Sequence, residues 1–169
     1  MIVCGIDPGP EKSGFVIYDT INKEIIDKAI LQNEDFLKKM QLLPYPQSKS
    51  IHCYDVAIEY TLNFFIRTHY VGAETNMTNL WAGRFIQKAL DLGLNCKWYH
   101  RNEIKTYLCG NASAGDPDVS MAVRDRFPAT GGGKRPQIGT KKKPGPLFGI
   151  HDDIWSALAV AITYVEKED

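Results

Sequence analysis

The sequence predicts an α/β domain on a five-stranded mixed sheet, three antiparallel strands and two parallel ones, flanked by helices. Three observations lead there. Three apolar, strand-like runs at the start are separated only by short turns near residues 9–13 and 20–23, as in an antiparallel meander. Residues 54–99 then read strand, helix, strand, an order that calls for a parallel pair joined by a crossover. Finally, residues 151–164 carry apolar side chains at helical spacing, which suits a helix packed on the sheet. At 169 residues the chain is expected to form one domain, 1–169.

The first strand is the apolar run Ile2, Val3, Cys4 and Ile6, and it ends on Asp7 because Pro8 and Gly9 break it. Gly14–Tyr18 is the second strand and Lys23–Leu31 the third. A short helix follows over 33–42, stopped by Pro44 and Pro46. The fourth strand, Tyr54–Tyr60, again carries an acid near its C-terminal end, Glu59. Next comes Thr61–Tyr70, expected to be a loop, where Phe64 and Phe65 are candidates either for stacking on bases or for covering the core or a dimer contact. From Glu74 to Leu92, the residues Met77, Leu80, Trp81, Ile86, Ala89 and Leu90 recur at helical spacing, and Gly93 ends that helix. Leu94–Tyr99 is the fifth strand. Helices are expected at 101–109 and 117–127, the second capped by Asp116.

Global composition is ordinary: 44% hydrophobic, 24% charged, with 20 Lys plus Arg balancing 20 Asp plus Glu, so net charge names no partner. Local charge does. Between Asp125 and Asp152 there is no acid, while Lys134, Arg135, Lys141, Lys142 and Lys143 all fall there among glycines and prolines. A flexible basic loop at about 128–149 suits nucleic-acid phosphates; the alternative is a solvated linker. The four cysteines form no C-x-x-C pair and suggest reduced thiols in an intracellular, cytoplasmic protein. No secretory signal or apolar run long enough for a membrane span is seen.

The acids gain weight in combination. Asp7, Glu59 and the pair Asp152 and Asp153 can converge if the first and fourth strands are neighbours. Taken singly, each has a plainer reading: an acid ordering its own turn, a surface salt bridge, or caps on the last helix. His151, just before that helix, is an auxiliary candidate for orienting water or phosphate, or a structural residue.

The segments GIDPGPEKSGFVIYD (5–19), VAIEY (56–60) and HDDIWSALAVAITY (151–164) resemble those of the RuvC-type Holliday junction resolvases, in order and spacing, over nearly the whole chain. The resemblance implies a ribonuclease H-like fold and a homodimeric, metal-dependent endonuclease that nicks two strands symmetrically at a four-way DNA junction. Position by position, Asp7 matches the family's first-strand aspartate, Glu59 its fourth-strand glutamate and Asp153 the first acid of its final helix. Where the family commonly has a further aspartate, this chain has Ser156, and Asp152, four residues earlier, is the expected substitute. At Gly115–Asp118 the family's lysine is missing, and the basic loop is expected to take over its contact with DNA. Carboxylates without a Cys/His cluster select Mg²⁺ or Mn²⁺, and two ions roughly 3.5–4 Å apart are expected, Asp7 bridging them, Glu59 on one side and Asp152 or Asp153 on the other. Other branched DNA, RNA–DNA hybrids, or binding of branched DNA without cleavage are the alternatives.

Overall fold

Alternation along two neighbouring strands decides where the acids point. In the computed structural model, which describes residues 1–43, 55–61 and 72–168, β1 (Ile2–Asp7) lies between β2 (Lys12–Asp19) and β4 (Asp55–Tyr60). β3 (Glu24–Gln32) and β5 (Asn95–His100) complete the order β3-β2-β1-β4-β5. The β1–β2 and β2–β3 pairs are antiparallel, and the β1–β4 and β4–β5 pairs are parallel. This is the mixed sheet expected from the sequence.

Successive side chains of a strand face opposite sides. Val3 of β1, Val16 and Tyr18 of β2 and Ala57 of β4 share one core with the long C-terminal helix α5 (Asp153–Glu168). Cys4, Ile6, Phe15, Val56 and Ile58 share the other core with α1 (Asn33–Met40) and α2 (Ala73–Asp91). Asp7 follows Val3 and Gly5 onto the α5 side, and Glu59 follows Ala57 there. The register pairs Gly5 with Ala57 and Ile6 with Ile58, so the next rung sets Asp7 level with Glu59.

α5 is buried over most of its surface, from Ile154 through Ala157–Val165, not along a single stripe. It is covered on its outer side by α3 (Arg101–Cys109) and α4 (Asp116–Arg124), which makes it a core helix. Its approach to the sheet requires glycine at two points. A Cβ on Gly5 would stand 2.0 Å from the Ala157 carbonyl oxygen, and one on Gly14 would stand 2.7 Å from that of Asp153. Gly14 is the register partner of Asp7, so this contact sets the first turn of α5 beside the strand-end acid.

The expected elements form with small shifts in their ends, and two expectations are corrected. The α2 face turned to the core is Ala82, Phe85 and Ala89, with Phe85 against Phe36 at 5.2 Å, while Met77, Leu80 and Leu90 are exposed. The cap of α4 is Gly115: Asp118 reaches back to accept its N–H at 2.8 Å, and Asp116 is the first helical residue. The basic segment 128–149 has little regular structure, as expected. It lacks helix and has only an isolated bridge between Gly139 and Pro144, yet main-chain bonds such as Gly132 to Lys143 and Leu147 to Gln137 close it on itself, and Leu147 is buried. Its glycines permit the close backbone approaches this needs. Phe64 and Phe65 lie outside the described residues. Cys96 and Cys109 are free thiols, and no helix among the described residues is long and apolar enough to cross a membrane.

Candidate active site

The turn after Asp7 is pinned from below. The Ser13 hydroxyl donates to Asn33 Oδ1 at 2.6 Å and accepts from the Gly9 N–H at 3.3 Å, while Asn33 Nδ2 donates to the Gly9 carbonyl at 3.0 Å. Ser13 and Asn33 are both buried, so this network fixes the direction in which β1 ends. Beyond it opens a cleft of about 510 Å³ whose lining includes Asp7, Glu59, Asp152 and Asp153. The structure therefore brings all four sequence-predicted acids to one cleft.

Their environments differ. Asp7 has its pKa raised well above the ordinary carboxylate range, chiefly by burial and then by the negative charges of Glu59 and Asp153. Arg101 and a hydrogen bond from Ser156 oppose the shift. Glu59, only 5% exposed, is also raised by burial, with Arg101 pulling the other way. Asp153 begins α5 and is the acid of that helix acting on Asp7. Asp152 sits outside the helix with φ 42°, exposed, its carboxylate 2.9 Å from Nδ1 of His151. The helical-face argument for Asp152 and Ser156 is thus corrected: Asp152 precedes the helix, and Ser156 itself touches Asp7.

Sequence reasoning missed the cations of the cleft. Arg101, first residue of α3, donates through Nη1 to Glu59 Oε1 at 2.8 Å and through Nη2 to Asp116 Oδ1 at 2.9 Å. The plainer reading of Glu59, an ion pair, is therefore realised, but with this arginine and at the head of a cleft. Lys105, one turn further along α3, lines the same cleft. The available signal was position: Arg101 immediately follows β5, whose end lies beside that of β4. None of Lys134, Arg135, Lys141, Lys142 and Lys143 lines the cleft. All five are exposed, and none forms an ion pair among the described residues.

As a metal site the donor set is chemically apt. It holds only carboxylate oxygens, whose mutual repulsion adds to burial in raising Asp7 and would be relieved by a cation. Among the described residues, however, no three His, Cys, Asp or Glu side chains are grouped as metal ligands, and Glu59 is turned to Arg101.

No family model and no curated protein matches the chain. Solved structures do. The chain is similar to Thermus thermophilus RuvC in complex with a Holliday junction substrate, with a TM-score of 0.67 and 20% identity over 99% of this chain and 94% of that one. A further Thermus thermophilus RuvC structure matches with a TM-score of 0.61 and 20% identity, covering 99% and 97%. The fold is that of RuvC. On this RuvC fold, the strand-end acids and the opening turn of the last helix share one rim of the sheet, the arrangement the motif resemblance implied.

Proposed function

We propose that the protein is a divalent-cation-dependent endonuclease that resolves four-way DNA junctions by paired symmetric nicks, acting as a homodimer in DNA recombination and repair. The observation that carries this reading is the meeting of Asp7, Glu59 and Asp153 in one cleft on a RuvC fold. The relative solved with a Holliday junction substrate makes that substrate class the first to test.

Asp7, Glu59, Asp153 and, at the outer rim, Asp152 are the residues that would hold Mg²⁺ or Mn²⁺, two ions in the full reading. When bound, the metal supplies Lewis acidity at the scissile phosphate and an activated water. Asp7, which feels the charges of both Glu59 and Asp153, would hold the cation together with them, with the Ser156 hydroxyl beside it. Lys105, which lines the cleft from α3, would face the phosphate. His151 orients Asp152 through their 2.9 Å contact. Lys134, Arg135 and Lys141–Lys143 hold the flanking DNA backbone without reading sequence. Phe64 and Phe65 remain candidates for stacking on bases. The exposed Met77 and Leu80 of α2 offer apolar surface for a second copy, and a dimer at micromolar concentration is expected by analytical ultracentrifugation.

The test is incubation of the protein with a synthetic four-way junction, a flap, an RNA–DNA hybrid and a linear duplex, with and without Mg²⁺ or Mn²⁺. Symmetric nicks in the junction alone, dependent on the cation, are expected; comparable cutting of all four would replace this reading with a broader nuclease. A second reading, a non-cutting binder of branched DNA, is favoured by the hold of Arg101 on Glu59. Junction binding with no cleavage under either cation would select it.

A further inference from the structure

Among the described residues lining the cleft, Arg101 is the one that bonds two acids at once. Glu59 is the penultimate residue of β4 and its side chain is 6% exposed, whereas Asp116 opens α4 and its side chain is 79% exposed. We infer that Arg101 is a positioning residue that stands in for the cation at Glu59 and is exchanged for it on metal binding, with Asp116 retaining the displaced guanidinium. This inference rests on the metal-nuclease reading above.

The physical case has three parts. A carboxylate withdrawn from water as far as Glu59 needs a counter-charge, and the guanidinium supplies it at 2.8 Å. A divalent ion held by Asp7, Glu59 and Asp153 would carry the same sign within a few ångströms of that guanidinium, and like charges at such range repel strongly in a partly buried cleft. The two cannot share Glu59 without cost. The arginine fork resolves the conflict, because its two terminal nitrogens bond different partners: Nη1 can leave Glu59 while Nη2 keeps Asp116 at 2.9 Å. Lysine, a point charge on a flexible stem, has no second nitrogen to stay behind. The consequence is a site that is charge-compensated at rest, binds its cation more weakly than the same carboxylates would without the arginine, and turns an arginine toward α4 and the cleft mouth once loaded. No proton and no covalent bond changes hands in the exchange.

The experiment is calorimetric titration of the full chain with Mn²⁺, comparing wild type with Arg101→Gln, Arg101→Lys, Asp116→Asn and Asp7→Asn, with thermal melts at each metal concentration. Arg101→Gln is expected to tighten Mn²⁺ binding on the order of ten-fold, because the competitor is gone. Asp116→Asn is expected to loosen it by roughly three-fold, because the displaced guanidinium loses its acceptor. A purely structural role for Arg101 would weaken binding in both variants, so these opposite signs are the signature. Unchanged or weaker binding in Arg101→Gln overturns the inference. If that variant folds only with metal, Mn²⁺ must raise its melting temperature by more than it raises that of wild type; an equal or smaller rise also overturns it. Failure of the nuclease reading is separate: it shows as wild-type Mn²⁺ binding that is absent or unaffected by Asp7→Asn.

Discussion

Two charged regions of this molecule are built on opposite terms. At the acidic rim, Glu59 is buried, Asp7 has its pKa raised by burial and then by its acidic neighbours, and α5 is pressed so close to β1 and β2 that a methyl group on Gly5 or Gly14 would collide with main chain. In the basic loop, five cations stand exposed without an ion-pair partner among the described residues, on a backbone closed by its own hydrogen bonds. A net charge of zero hides this segregation. The difference teaches that the two regions hold different resources. Charge kept away from water costs stability and is retained where chemistry uses it. Charge left in water costs little and serves long-range attraction to an anionic partner.

The contrast can be broken most severely at Asp7. Replacing it with Asn is expected to reduce junction cleavage by more than about 100-fold, beyond the 10–100-fold usual for outer-shell partners of a metal, with junction binding retained. Gel-based nicking and binding assays on one preparation measure both; cleavage at the wild-type rate would remove the proposed site.

Next in size is the packing under the acids. Gly5→Ala is expected to cost about 3 kcal/mol in urea unfolding, because the 2.0 Å approach to the Ala157 carbonyl cannot be relieved without moving α5. A loss under about 0.5 kcal/mol would mean that α5 shifts freely, and with it the position of Asp153.

The loop should behave in the reverse manner. Converting Lys141, Lys142 and Lys143 to Gln is expected to leave the melting temperature unchanged and to lower junction affinity. The slope of log affinity against log salt should shrink by about 2–3, since each phosphate contact contributes roughly 0.9 on duplex DNA. Unaltered salt dependence would show that the loop is a solvated linker.

The smallest effect sharpens the contrast. The folded-state pKa of Asp7 is raised above 3.8, so its ionisation disfavours the fold. That penalty is absent below the unfolded pKa, grows as pH rises from there through the raised folded value, and is constant beyond it. Asp7→Asn removes it. The variant, inactive in cleavage, is therefore expected to be more stable than wild type at neutral pH by on the order of 1 kcal/mol, with the advantage vanishing toward acid pH. Melting curves across that range test the sign.

Much of this was legible in the chain because strand ends and helix starts are local. Pro8 and Gly9 terminate β1 at Asp7 whatever surrounds it, and period-two alternation carries Asp7 with Gly5 and Glu59 with Ala57. Of the apolar α2 residues at helical spacing, Trp81, Ile86 and Ala89 pack on the core while Met77, Leu80 and Leu90, equally apolar, stay exposed; the position of Phe36 selects Phe85. Asp116 looked like a cap because caps are recognised by residue type, whereas its partner Arg101 stands 15 positions away.

The sequence by itself determined the order of elements, the acids at their ends and the segregation of basic charge into one segment. Only the tertiary structure decided that Asp152 lies outside α5, that Ser156 comes beside Asp7, and that Arg101 holds Glu59. The reason is physical: backbone periodicity assigns a side chain to a face, but which side chains meet depends on strand order and on how closely a helix can approach, and those are settled by the packing of residues far apart in the chain.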